Sequence, residues 1–137
     1  MRINTEFFVV LFIMFISSNV LTFSQEVLSK DSLIGTWTYK GPQMIAVEDT
    51  IFLSKELPKT NYYTKWSFKP YGNKLEITIR PPSVKDNLPV VETTKLGTKW
   101  FYENKSNILI VQTTGDYKQY FNIISYKNQC IELVRIK

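Results

Sequence analysis

Three observations predict an all-β chain, an antiparallel up-and-down meander closing into a barrel of about eight strands. Residues Lys74 to Arg80 alternate strictly, with Leu75, Ile77 and Ile79 set between Lys74, Glu76, Thr78 and Arg80. Residues Asn61 to Lys69 place Tyr62, Thr64, Trp66 and Phe68 on one face and Tyr63, Lys65 and Ser67 on the other. Turn-forming clusters recur between such runs, and no helical period extends beyond two turns.

The first residues read as a leader rather than as fold. Arg2 precedes an unbroken apolar run from Phe7 to Ile16, and small and polar residues follow to Gln25. A run of that length falls short of the roughly 20 residues that span a bilayer. It suits a signal-peptide core, with Thr22 and Ser24 as the small residues before a cut. Residues 1–24 are therefore expected to be a signal peptide and 25–137 the β-barrel domain, secreted or periplasmic after cleavage. An uncleaved anchor using Phe7 to Phe23 is the alternative.

Val27, Leu28 and Ile34 suit a single helical turn covering one end of the barrel. Ile34 to Lys40 opens the sheet, and Gly41-Pro42 stops it. Met44 to Leu53 is a second strand of weak alternation, and Ser54 to Thr60 a loop containing Pro58. Pro70-Tyr71-Gly72-Asn73 is a turn that folds Asn61 to Lys69 back on Lys74 to Arg80 as a hairpin. After Pro81-Pro82, an exposed loop leads to Pro89 to Thr94 and Thr98 to Glu103, two strands flanking Gly97. Asn104-Lys105-Ser106-Asn107, Gly115-Asp116 and Lys127-Asn128-Gln129 then separate Ile108 to Thr113, Tyr117 to Tyr126 and Cys130 to Ile136. Tight turns favour antiparallel neighbours, and closure hides the edge strands. A two-sheet sandwich is the other architecture this pattern allows.

Composition narrows the chemistry. The 137 residues carry a net charge of +5, no histidine and one cysteine. Without histidine there is no Ser-His-Asp or Cys-His catalysis and no His-based metal site. The lone Cys130 makes no internal disulfide and reads as a small buried hydrophobe. Lysines are scattered singly, so no nucleic-acid partner is expected. No phosphate-cradling glycine loop is present and no cofactor is implied. The chain is read as a non-enzyme, with a carboxylate–tyrosine enzyme left as a minor alternative.

Trp37, Tyr39, Trp66, Phe68, Trp100, Tyr102 and Phe121 recur near strand centres and are expected inside the barrel. With Leu33-Ile34-Gly35-Thr36-Trp37, the Trp66-x-Phe68 hairpin and the ending Phe121-Asn122-Ile123 to Arg135, the chain resembles the lipocalin-like (calycin) proteins, and more closely their short secreted bacterial forms. The resemblance covers about Leu28 to Ile136. It implies that Gly35 and Trp37 form the barrel floor and that a basic side chain of the last strand packs across the tryptophan. Arg135 shares the face of Ile131 and Leu133 by alternation, so the resemblance gives it that role.

Function is read in two ways. The leading expectation is non-enzymatic binding of a small apolar or amphipathic ligand inside the barrel. Its cavity would be lined by Trp66, Phe68, Trp100, Tyr102 and Phe121, with tyrosine hydroxyls orienting the polar end. The alternative is a filled barrel that meets a protein partner through its surface, as an envelope interaction module or an inhibitor.

Overall fold

The computed structural model describes residues 28–41, 45–83 and 89–137. The signal segment 1–24, the cut before Gln25, Val27 and Met44 lie outside these residues. One short helix, α1 (Lys30–Leu33), precedes eight strands: β1 (Gly35–Tyr39), β2 (Thr50–Ser54), β3 (Tyr63–Phe68), β4 (Lys74–Arg80), β5 (Thr93–Glu103), β6 (Ile108–Gln112), β7 (Lys118–Lys127) and β8 (Cys130–Arg135). They close into a barrel in which every neighbouring pair is antiparallel.

From β3 to β8 the strands run up and down in sequence order. At the N-terminal end β1 pairs with β3 across its whole length, Gly35 opposite Phe68 and Tyr39 opposite Thr64. Strand β2 lies on the other side of β1 and pairs with β8 from Thr50–Val134 to Ser54–Cys130. The chain between β2 and β3 therefore passes β1. Thr38, which alternation turns outward, is buried here, with its hydroxyl donating toward the Ser54 and Glu56 carbonyls.

Two stretches differ from the sequence reading. The second strand spans Thr50–Ser54 rather than starting at Met44, because residues 46–49 form a turn in which Asp49 Oδ2 accepts from the Ala46 amide at 2.9 Å. The two strands expected around Gly97 are one strand. Its register against β4 shifts between Leu75 and Ile77, and Gly97 sits at φ +84°, the backbone of a β-bulge.

The interior holds Trp37, Trp66, Phe68, Ile77, Trp100, Leu109, Phe121 and Leu133, all nearly or fully buried. Full burial of such side chains contributes about 1.5–3 kcal/mol each. Lys74 is exposed and Glu76 pairs with Lys69 at 3.0 Å on the outside, as the alternation in β4 requires.

The two ends differ. One, the capped end, gathers α1 and the β3–β4, β5–β6 and β7–β8 turns. Ser29 caps α1, its hydroxyl accepting from the Ser32 amide at 3.2 Å. Leu28 and Leu33 are buried there. Gly35 at φ +119° turns the chain from α1 into β1, a conformation that side-chain-bearing residues rarely adopt. That turn lets Trp37 Nε1 donate to the Leu33 carbonyl at 2.7 Å. The opposite end holds Tyr39, Ile45, the start of β2 and the end of β8.

Candidate functional site

Four of the five residues expected to line a cavity do meet. Trp66 sits with its ring centre 6.1 Å from Phe68 and 5.5 Å from Phe121, and Phe68 sits 5.1 Å from Trp100. All three contacts are edge-to-face, the arrangement ring quadrupoles favour. These side chains are 0–2% exposed, so at this height they fill the interior with one another. The indole N–H of Trp100 is buried and meets no acceptor among the described residues.

Tyr102 belongs elsewhere. It is half-buried at the capped end, its hydroxyl 3.0 Å from the Leu28 carbonyl and 2.8 Å from Asn107 Oδ1. Burial raises the pKa of this hydroxyl. Its proton is committed to protein acceptors, so it ties α1 to the β5–β6 turn rather than orienting a ligand.

Gly35 and Trp37 sit at the capped end, but Arg135 does not join them. The cation over the Trp37 ring is Lys55, 5.0 Å from its centre, and Tyr126 meets the ring edge-on at 6.4 Å. Alternation reported the face of Arg135 correctly, since it pairs with buried Phe121. It could not report height: Trp37 lies beside the β7–β8 turn, whereas Arg135 ends β8 at the other mouth.

There Arg135 links three segments. Its Nη1 donates to the Ile45 carbonyl, and its Nη2 donates to the Tyr117 hydroxyl at 2.7 Å. Its backbone accepts from Glu48 at 2.7 Å and donates to Asp49 at 3.0 Å, extending the β2–β8 ladder into the 46–49 turn. Beside this clamp lies a cavity of about 140 Å³ lined by Tyr39, Lys40, Gly41, Ile45, Asp49, Thr50 and Ile51. Tyr39, Ile45 and Ile51 supply the apolar wall; Lys40, Asp49 and Thr50 supply charge and hydroxyl. Burial pushes the Tyr39 hydroxyl up to about 12, against the opposing pull of a hydrogen bond with Thr64.

This cavity was missed in the sequence because residues 44–53 alternate weakly. Its one legible sign was Tyr39, inward by parity with Trp37.

Cys130 is half-buried at the head of β8, more open than expected, and its thiol pKa is raised by burial and then by Glu132. Among the described residues no group of three or more His, Cys, Asp or Glu side chains is arranged to hold a metal. Comparison with family models, with curated proteins and with solved structures finds no match.

Proposed function

We propose that the chain is a non-enzymatic binding protein that takes a small amphipathic molecule at the Arg135 end of its barrel. The observation that carries this reading is the mixed, partly open cavity of about 140 Å³ between the end of β1 and the start of β2. Its size suits a single ring or a short chain, since a cavity of about 150 Å³ accommodates benzene. The apolar body of the ligand lies against Tyr39, Ile45 and Ile51, and its polar end meets Lys40, Asp49 or Thr50. The barrel shape and the Gly35-Thr36-Trp37 opening are compatible with a lipocalin-like origin. The apolar run from Phe7 to Ile16, read as a signal-peptide core, favours action outside the cytoplasm, and N-terminal sequencing of exported protein checks cleavage near Gln25.

Native mass spectrometry of protein purified from its own host, followed by NMR titration with phenol and benzoate, tests the reading. Shifts confined to Tyr39, Ile45, Ile51 and neighbouring amides support it. A second reading, a filled barrel acting through its surface, is favoured by the interlocked rings of Trp66, Phe68, Trp100 and Phe121. No co-purifying molecule and no shifts at this mouth would favour that second reading.

A further inference from the structure

The cavity at the Arg135 mouth opens in the seam between β1 and β2. These strands meet in register only at Thr38–Ser54 and part toward the mouth, with Tyr39, Lys40 and Gly41 on one side and Thr50 and Ile51 on the other. Its apolar wall is closely set. A Cβ at Gly41 would come within 3.3 Å of two Tyr39 ring carbons, so bare backbone lies against that ring.

The charges around the cavity differ in what already engages them. Lys40 lines it, but its ammonium lies 5.5 Å from the centre of the Tyr62 ring, and Tyr62 is not among the lining residues. The stem of Lys40 thus faces the cavity while its charge leans toward β3. Arg135 commits its terminal nitrogens to the Ile45 carbonyl and the Tyr117 hydroxyl. Lys137 stands over the Tyr120 ring, 5.8 Å from its centre. Asp49 is the reverse case. It is the one carboxylate among the described lining residues, and it makes no ion pair among the described residues. Its Oδ2 accepts from the Ala46 amide at 2.9 Å, and its own amide donates to the Ala46 carbonyl at 3.1 Å. The turn therefore holds the side chain in place. An ionised carboxylate offers about four acceptor positions, and the turn uses one. Glu48, exposed in the same turn, adds a second negative charge.

We propose that the molecule taken at this mouth is a small ammonium compound, its charged end on the Asp49 carboxylate and its ring or chain against Tyr39, Ile45 and Ile51. This inference rests on the binding reading above and adds the ligand's charge to it. The net charge of +5 opposes a cation at long range. Salt screens that field beyond about 8 Å, whereas a contact with Asp49 lies well inside that distance. A ligand ending in a carboxylate would instead meet Asp49 as a like charge.

Amide NMR titrations with benzylamine, benzyl alcohol and benzoate, compounds of similar size, test this at neutral pH. Benzylamine is expected to bind at least about fivefold more tightly than benzyl alcohol, with shifts at Ile45, Asp49 and Ile51, and benzoate more weakly than either. Asp49→Asn keeps an oxygen for the Ala46 amide but removes the charge. It should bring benzylamine down to the affinity of benzyl alcohol and leave benzyl alcohol unchanged, which also shows that the variant is folded. Benzyl alcohol bound as tightly as benzylamine overturns the inference and spares the binding reading. So does an amine preference that survives Asp49→Asn. Benzoate bound tightest assigns the polar end to Lys40 and overturns it as well. No shift with any of the three removes the binding reading and this inference together.

Discussion

Lys55 holds its ammonium 5.0 Å from the centre of the Trp37 ring, at the end of the barrel opposite Arg135. The two cations thus do separate work. Lys55 is exposed, so Lys55→Ala is expected to lower stability by about 0.5–1 kcal/mol, the scale of a solvated cation–π contact. Arg135→Ala removes charge-assisted bonds to Ile45 and Tyr117 and should lower it by about 1.5–3 kcal/mol. Urea titrations measure both. Hydrogen exchange adds a separating readout: the Glu48 amide, which donates to the Arg135 carbonyl, should exchange faster in Arg135→Ala only. Equal exchange in the two variants would refute the clamp.

Trp37 and Trp100 are both fully buried, but only the first has its N–H satisfied by a described residue. Trp37→Phe strands the Leu33 carbonyl and opens a void, and should lower stability by about 2–3 kcal/mol. Trp100→Phe opens a similar void but removes an unpartnered donor. Its loss should be about 1 kcal/mol or less. Chemical denaturation of the pair, equal in volume change, isolates the hydrogen bond; identical losses would contradict it.

Alkali should weaken the fold through Tyr39. Its folded pKa of about 12 lies above the ordinary tyrosine value of 10.0, so the unfolded chain loses its proton first. Stability from this group is complete below pH 10 and falls as pH rises toward 12, by on the order of 2–3 kcal/mol in all. Tyr102 and Cys130, also shifted upward, act in the same direction. Denaturation midpoints from pH 9 to 12 should decline less steeply in Tyr39→Phe than in the unaltered chain. Parallel declines would show that Tyr39 is not the source.

The β7–β8 hairpin turns through Asn128 and Gln129, both at positive φ, 51° and 58°. Asparagine tolerates that backbone; glutamine does so at a cost of about 1–2 kcal/mol. Gln129→Gly relieves the strain and should raise stability by about 0.5–1 kcal/mol, net of the flexibility glycine adds to the unfolded chain. A higher midpoint at unchanged m-value confirms it, and a lower one counts against the turn geometry.

Strand β4 was legible because solvent lies on one of its faces and core on the other, so Leu75, Ile77 and Ile79 stand out. Strand β2 was not, because outward Phe52 is apolar between inward Ile51 and Leu53 and flattens the alternation. Gly97 read as a break because a bulge and a turn both call for positive φ. The candidate site was legible as a set of rings but not as a place. Parity set Trp66, Phe68, Trp100 and Phe121 inward, yet how far they interlock depends on register across four strands. Parity likewise gave Arg135 a face without a height, and the cavity beside Tyr39 lies on a segment without regular alternation.

Strands β1 and β2 share a single register pair, Thr38 with Ser54. The ring is consequently a strip with one light seam. Neighbouring hairpins from β3 to β8 pay little loop-closure entropy and are expected to zip early, with β1 laid against β3. Strand β2 has to travel past β1 to find β8, some eighty residues away in sequence, so its docking is expected to close the ring late. The same seam is the expected line of first fraying, where the wall parts while both ends stay intact.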